Sequence, residues 1–107
     1  MTKKERFEIY KEAEDLWGIV AQYDQAIEEM GELIVAINKY KRKCLYGEFK
    51  NNQAVEENLV EELADVSMCL EQLISYVGED KVKIMLDNKM AKLQGQIIKM
   101  REMKGNK

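Results

Sequence analysis

The sequence predicts an all-α fold in which a short N-terminal helix is followed by three long helices packed as a bundle. Proline, the strongest helix breaker, is absent from the 107 residues, and only 6 glycines remain to interrupt helices. Aromatic residues make up 7% of the chain, which disfavours a sheet-based domain. Apolar residues recur at spacings of three and four, the pattern of helices with one buried face.

The four helices are expected to follow one another with two glycine breaks and one loop between them. We expect the first helix at residues 3–17, and the second from residue 19 to about residue 44. Residues 45–54 contain a glycine and paired asparagines and are predicted to form a loop. The third helix is expected at about 55–77 and the fourth at about 79–103. In the fourth, acidic residues suit the first turn because they complement the helix dipole.

One side of each long helix is expected to face the core. These inward positions are Tyr23, Ile27, Met30, Ile34 and Ile37 in the second helix, Leu59, Leu63, Val66, Leu70, Leu73 and Val77 in the third, and Leu86, Met90, Leu93, Ile97 and Met100 in the fourth. A strict heptad coiled coil is the structural alternative, but these apolar stripes are wider than a simple seam and are interrupted.

The length indicates a single domain over residues 1–107, with residues 104–107 as a frayed tail. A helical chain this small buries only a modest core, so we expect it to complete that core as a homodimer or homotetramer. The methionine-rich last helix suits adaptable packing at a subunit interface.

Composition excludes several classes of function. The net charge of −3 is not the footprint of a protein whose main partner is duplex nucleic acid. Because there is no histidine, the usual zinc sites and all histidine-based acid–base chemistry are excluded. Cys44 and Cys69 are expected to be free thiols in a reducing compartment. The N-terminus lacks the apolar core of a signal peptide and no stretch is apolar enough to span a bilayer, so we expect a cytoplasmic protein.

Two acidic motifs in the long middle helices are candidates for a metal site. Glu29 and Glu32, and likewise Glu62 and Asp65, are spaced i, i+3, which places each pair on one side of a helix within a turn. Two such helices side by side would present four carboxylates to one or two ions. Hard oxygen donors without imidazole or thiolate select Mg²⁺, with Mn²⁺ as the alternative. Carboxylate-held Mg²⁺ suits phosphoryl or pyrophosphoryl chemistry.

Spacing alone does not establish such a site. Among 20 acidic residues, chance predicts roughly three or four i, i+3 pairs, and a solvated helix face explains most of them. Glu5 with Glu8, and Glu12 with Asp15, are pairs that we assign to the surface. The two selected motifs differ because each lies beside an apolar stripe. Acids next to a core are costly unless a cation compensates them.

The residues around both motifs resemble the MazG-like nucleoside triphosphate pyrophosphohydrolases, a family of all-α proteins. The resemblance rests on WGIVAQYDQAIEEMGELIVAINKYKR, beginning at Trp17, and on NLVEELADVSMCLEQLI, ending at Ile74. It combines an E-x-x-E motif on one helix with E-x-x-D on the next long one, and it covers over half of the chain. It weakens in the last helix, where Gly95 and Gln96 stand at positions that tend to be basic in relatives.

This resemblance implies a reaction in which a nucleoside triphosphate and water give a monophosphate and pyrophosphate, as control or house-cleaning of the nucleotide pool. Glu29, Glu32, Glu62 and Asp65 would be the ligands of Mg²⁺. Glu28, directly before the first ligand, is the candidate for the residue that orients or deprotonates the attacking water, although a surface role is the alternative.

The triphosphate also needs cations. Lys39 follows Glu32 by two helical turns and is the first candidate for a phosphate contact. Lys89 is the second candidate, because the family commonly offers a lysine from the last helix, and Lys92 is the third. Trp17 is a candidate for stacking on the base, but we favour a core role for it. Gln22 is a candidate substrate contact without an assigned role.

Three other functions remain open. A catalytically silent helical module could bind a nucleotide or a protein partner through the same fold. A nucleic-acid-associated protein would use the basic run at residues 39–43, which a solvated helix end explains better. Phosphoribosyl-ATP pyrophosphohydrolase has a related helical fold, but less of its pattern is present.

Overall fold

The computed structural model describes residues 1–46 and 52–105. In this part of the chain all regular structure is helical, with no strand, which confirms the predicted all-α class of one short and three long helices. We call the helices α1 (Lys3–Trp17), α2 (Ile19–Tyr40), α3 (Gln53–Val77) and α4 (Glu79–Gly105). A turn of π-helix, Lys41–Leu45, continues α2.

The helix boundaries follow local chemistry. Thr2 and Glu5 form a reciprocal capping box that begins α1, and Gly18, with φ +89°, breaks the chain before α2. Asn52 caps α3, because its Oδ1 accepts a hydrogen bond of 3.3 Å from the Val55 backbone N–H. This cap explains why α3 begins two residues earlier than predicted, inside the expected loop.

Other boundaries differ in detail from the prediction. The predicted second helix changes to π geometry for its last turn, in which the Tyr46 N–H bonds to the Lys41 carbonyl at 3.0 Å. Half of the predicted loop, residues 47–51, lies outside the described residues. Lys104 and Gly105 are the last residues of α4, and residues 106–107 lie outside the description, so the frayed tail stays a prediction.

The chain divides into two compact units, Met1–Ser75 and Tyr76–Lys107. The first contains α1, α2 and nearly all of α3, together with every buried side chain of the described residues. Its core is small and includes Tyr10, Ala26, Ala36, Val66 and Cys69. The second unit consists mainly of α4, which buries no side chain.

Several apolar positions expected in the core are exposed. In α2, Ile27 and Ile34 are 68% and 61% exposed, whereas Ala26 and Ala36 are buried. The face of α2 that packs inward is therefore rotated from the predicted stripe. Leu63, Leu70 and Val77 of α3, and all the positions of α4 predicted to face inward, are exposed as well. Oligomerisation through these surfaces stays a prediction.

A buried tyrosine links α1 to α3. The Tyr10 hydroxyl donates a 2.6 Å hydrogen bond to Glu71 Oε1, which also accepts one of 2.6 Å from Arg6 Nε. Arg6 Nη2 bonds to the other carboxylate oxygen at 3.2 Å, completing a bidentate pair. Burial first, and then the hydrogen bond to Glu71, raises the pKa of Tyr10 to about 12. The tyrosine thus stays a neutral donor that holds α1 in place.

We expect Tyr10→Phe to destabilise the protein by about 1.5–3 kcal/mol, the usual contribution of a hydrogen bond to a charged group. The measurement is urea unfolding followed by circular dichroism. Tyr23→Phe is the matched control, because that hydroxyl lies on an exposed side chain of α2 and should contribute little. Equal effects of the two changes would mean that the Tyr10 hydrogen bond does not stabilise the fold.

None of the helices described is both long and apolar enough to cross a membrane.

Candidate metal centre

Three glutamates from two helices converge in the first unit. Glu29 and Glu32 of α2 and Glu62 of α3 each offer a carboxylate oxygen, and these oxygens lie within 4.8 Å of one another. The i, i+3 spacing brings Glu29 and Glu32 to one side of α2. Glu62 lies close to them because α3 runs antiparallel to α2. A hydrogen bond of 2.8 Å from Gln72 Nε2 to Gln22 Oε1 shows that the end of α3 lies beside the start of α2.

Two of these carboxylates have buried oxygens without a partner. Glu29 Oε1 accepts a 2.8 Å hydrogen bond from Gln25 Nε2, but its Oε2 is buried and makes none. Glu62 Oε2 is likewise buried without a hydrogen bond. A buried charged oxygen that lacks a donor is costly, so most are paired or bind a metal. No lysine or arginine within the described ranges forms an ion pair with these acids.

The cluster raises the pKa of two of its members. For Glu29, burial is the largest cause, followed by the charges of Glu32 and Asp65. For Glu62, burial again comes first, followed by the charges of Asp65 and Glu29. Both effects disfavour the ionised form. A bound cation would remove this cost, and the donor set of carboxylate oxygens fits Mg²⁺ or Mn²⁺.

Asp65 and Glu28 occupy less central positions. Asp65 is half-buried and its charge raises the pKa of both Glu29 and Glu62, but it is not one of the three acids that converge within 4.8 Å. Glu28 is exposed, one turn before Glu32 on the same side of α2. Their predicted roles, as fourth ligand and as partner of the attacking water, stay predictions.

The side chains predicted to supply cationic contacts are exposed. Lys39 is exposed on α2, two turns or about 10 Å along the helix axis from Glu32. Lys89 and Lys92 are exposed on α4, in the second unit. All three remain candidates for phosphate contacts.

A cavity of about 210 Å³ adjoins the acids. Glu29 and Asp65 line one part of it, and Trp17 and Gln22 line it as well. The preference for a core role of Trp17 is wrong: this side chain is 68% exposed, because it ends α1 at the Gly18 break. The structure thus brings two predicted substrate contacts and two predicted metal ligands to one cavity.

Sequence reasoning missed Gln72, the polar side chain that is buried in the described core, at 8% exposure. It lines the same cavity and holds Gln22 through the 2.8 Å hydrogen bond. A signal was present: Gln72 follows Asp65 by seven residues, and Gln22 precedes Glu29 by seven. Seven residues are nearly two helical turns, so each glutamine shares a helix face with an acid of the site.

A larger cavity of about 590 Å³ lies near the start of α3. Its lining includes Glu56, Glu57 and Glu61 and none of the converging glutamates. An anionic nucleotide would be repelled there, so we do not assign it to the site.

Comparisons of the chain with models of protein families, with curated proteins and with solved structures find no match.

Proposed function

We propose that this chain is a Mg²⁺-dependent nucleoside triphosphate pyrophosphohydrolase. The observation that carries the proposal is the pair of buried carboxylate oxygens, Glu29 Oε2 and Glu62 Oε2, that lack a hydrogen bond within a cluster of three glutamates. Surface acids on a solvated helix expose their oxygens to solvent, whereas these two oxygens are buried. The resemblance of both acidic motifs to MazG-like enzymes supplies the reaction class.

The reaction splits the bond between the bridging oxygen and the α-phosphorus, and water adds to that phosphorus. The products are a nucleoside monophosphate and pyrophosphate, with one proton released from water. Bound Mg²⁺, or Mn²⁺ in its place, supplies the neutralisation of phosphate charge and the activation of water.

Each residue of the proposed site has a distinct role. Glu29, Glu32 and Glu62 hold the cation, and Asp65 completes the set from the adjoining half-buried position. Glu28 orients the attacking water and accepts its proton. Lys39 contacts the phosphates, and Lys89 and then Lys92 stay candidates for a further phosphate contact. The catalytic unit is a homodimer or homotetramer, completed through the exposed apolar helix faces.

The test is pyrophosphate release from a panel of canonical and modified ribo- and deoxynucleoside triphosphates. We expect release with Mg²⁺ or Mn²⁺, none with a chelator, and a monophosphate as the second product. Release of orthophosphate instead would contradict the predicted bond cleavage. If no triphosphate is cleaved while Mg²⁺ still stabilises the folded protein, the silent binding module becomes the better account.

A further inference from the structure

The cavity beside the acids has two chemically different parts. Glu29 and Asp65 give one part negative charge, which would repel phosphate oxygens unless a cation lies between them. Away from these acids the lining is formed by aromatic, apolar and amide side chains, including Ile9, Ala13, Trp17, Gln22, Met68 and Gln72. Such walls suit a flat heterocyclic ring, which they can stack against and hydrogen-bond.

The size of the cavity also suits one part of a nucleotide. Sites that enclose a whole small-molecule ligand are roughly 300–1,000 Å³. This cavity is about 210 Å³ and lies within the unit Met1–Ser75. It therefore accommodates a base, while the sugar and phosphates extend beyond it past the carboxylates.

The Gln22–Gln72 hydrogen bond decides which atom Gln22 presents. Because Gln22 Oε1 accepts from Gln72 Nε2 at 2.8 Å, the oxygen of the Gln22 amide is turned toward Gln72 and one of its two lone pairs is occupied. The two N–H groups of Gln22 Nε2 make no hydrogen bond within the described chain. Gln22 is half-buried and lines the cavity, so it offers donors to a ligand there.

We propose that this cavity binds the base of the nucleotide and, at the position that Gln22 contacts, selects an exocyclic carbonyl over an amino group. Gln22 is the specificity-determining residue, since its N–H groups donate to the carbonyl oxygen. Gln72 is a positioning residue that keeps the Gln22 amide in this orientation. This inference rests on the proposed function for the presence of a nucleotide, and it adds the class of base.

Selectivity arises because two hydrogen-bond donors that face each other in a buried site are both left without an acceptor. An amino group at the same position of the base would face the Gln22 N–H groups with another donor, leaving polar groups buried without partners. Rotation of the Gln22 amide would relieve this clash, but it would break the hydrogen bond with Gln72.

The experiment is calorimetric titration with the α,β-imido analogues of UTP and CTP in the presence of Mg²⁺. These probes resist cleavage between the α- and β-phosphorus. Their bases share one carbonyl and differ at ring carbon C4, where uracil has a carbonyl and cytosine an amino group, with a matching change of donor to acceptor at N3. We expect the uracil analogue to bind about tenfold more tightly, which corresponds to about 1.4 kcal/mol. Equal affinities, a preference for cytosine, or no binding of either analogue would overturn the proposal.

Three variants assign the effect to residues. Gln22→Met removes the donors while keeping the length of the side chain, and should bring the affinity ratio close to one. Gln72→Met leaves the donors but removes their orienting partner, and should also reduce the ratio. Gln53→Met is the control: this exposed α3 glutamine bonds to Glu57 at 3.1 Å and does not line the cavity, so the ratio should not change. A ratio unchanged in both cavity variants would contradict the assignment.

Failure of this inference is distinguishable from failure of the proposed function. Pyrophosphate release from UTP and CTP is measured separately on the same protein. A uracil preference in binding without release would retain the base site and remove the hydrolase. Release without any preference in binding would retain the hydrolase and remove the base site.

Discussion

Replacing Glu62 by glutamine should lower kcat/KM for pyrophosphate release by at least about a hundredfold, since even loss of an outer-shell partner of a metal ligand costs 10–100-fold. Glu62 has a buried oxygen without a partner and lies within 4.8 Å of the Glu29 and Glu32 carboxylates. Glutamine keeps the size of the side chain but removes its charge and one acceptor oxygen. If the cluster binds the catalytic cation, removing this charge and this oxygen weakens metal binding.

Glu61→Gln is the matched control for this variant. Glu61 is the residue of α3 directly before Glu62, and it is exposed outside the cluster. Its replacement by glutamine changes the net charge by the same amount. We expect it to retain activity within about twofold, because surface charges act weakly through solvent. If Glu62→Gln retained full activity at saturating Mg²⁺, the cluster would not be the catalytic metal site. An equal loss in both variants would indicate a general effect of charge.

The helices could be predicted from the sequence because local signals determine them. The absence of proline, the glycines at positions 18 and 78, and apolar spacing place α1 through α4 to within a few residues. The Asn52 cap and the π-helical turn were missed. The first depends on which of the two adjacent asparagines caps the helix. The second is a change of hydrogen-bond pattern that apolar periodicity does not encode.

The packing of α2 was harder to predict because this helix has apolar residues on more than one face. Ile27 and Ile34 have the larger side chains, yet Ala26 and Ala36 are the buried positions. Periodicity identifies an apolar face, but it does not identify which neighbour that face contacts. The buried face also carries Gln22 and Glu29, so polar side chains reach the cavity along it.

The candidate site was predictable to the extent that it depends on spacing within one helix. The i, i+3 acids and their helices follow from sequence, and three of the four acids converge. The pairing of Gln22 with Gln72 depends on the register between two antiparallel helices, which no pattern within one helix specifies. Trp17 was misjudged for a similar reason, since its exposure follows from where α1 ends relative to α2.

Mg²⁺ should stabilise the folded protein at neutral pH, and this effect should disappear in acid. Burial and neighbouring carboxylates raise the pKa of Glu29 and Glu62 above the ordinary value of 4.5. An acid whose pKa is higher in the folded than in the unfolded protein stabilises the folded state while it is protonated. This contribution is fully present below the pKa of the unfolded state and is lost as pH rises through the pKa of the folded state. The metal-free protein therefore loses this contribution as the pH rises above about 4.5, and a bound cation compensates the charge.

The expected magnitude follows from mass action. At a Mg²⁺ concentration of about 100 times Kd, binding stabilises the folded state by about 2.7 kcal/mol. For a chain of this length that is a rise in Tm of roughly 10 °C. Differential scanning calorimetry with Mg²⁺ and with a chelator, at pH 7.5 and pH 4, measures the effect.

Glu62→Gln separates this mechanism from general ion effects. Without metal at pH 7.5, the variant should melt at a higher temperature than the wild type, because one unfavourable ionisation is gone. It should respond little to Mg²⁺, whereas Glu61→Gln should respond like the wild type. Hydrogen bonds from Arg6 and Tyr10 lower the pKa of Glu71, so this residue changes the stability with pH in the opposite direction. Glu71 is the same in all three proteins, so its effect does not alter the comparison. A metal-free Glu62→Gln protein less stable than the wild type would mean that Glu62 stabilises the fold through its charge, and the cluster would then be structural.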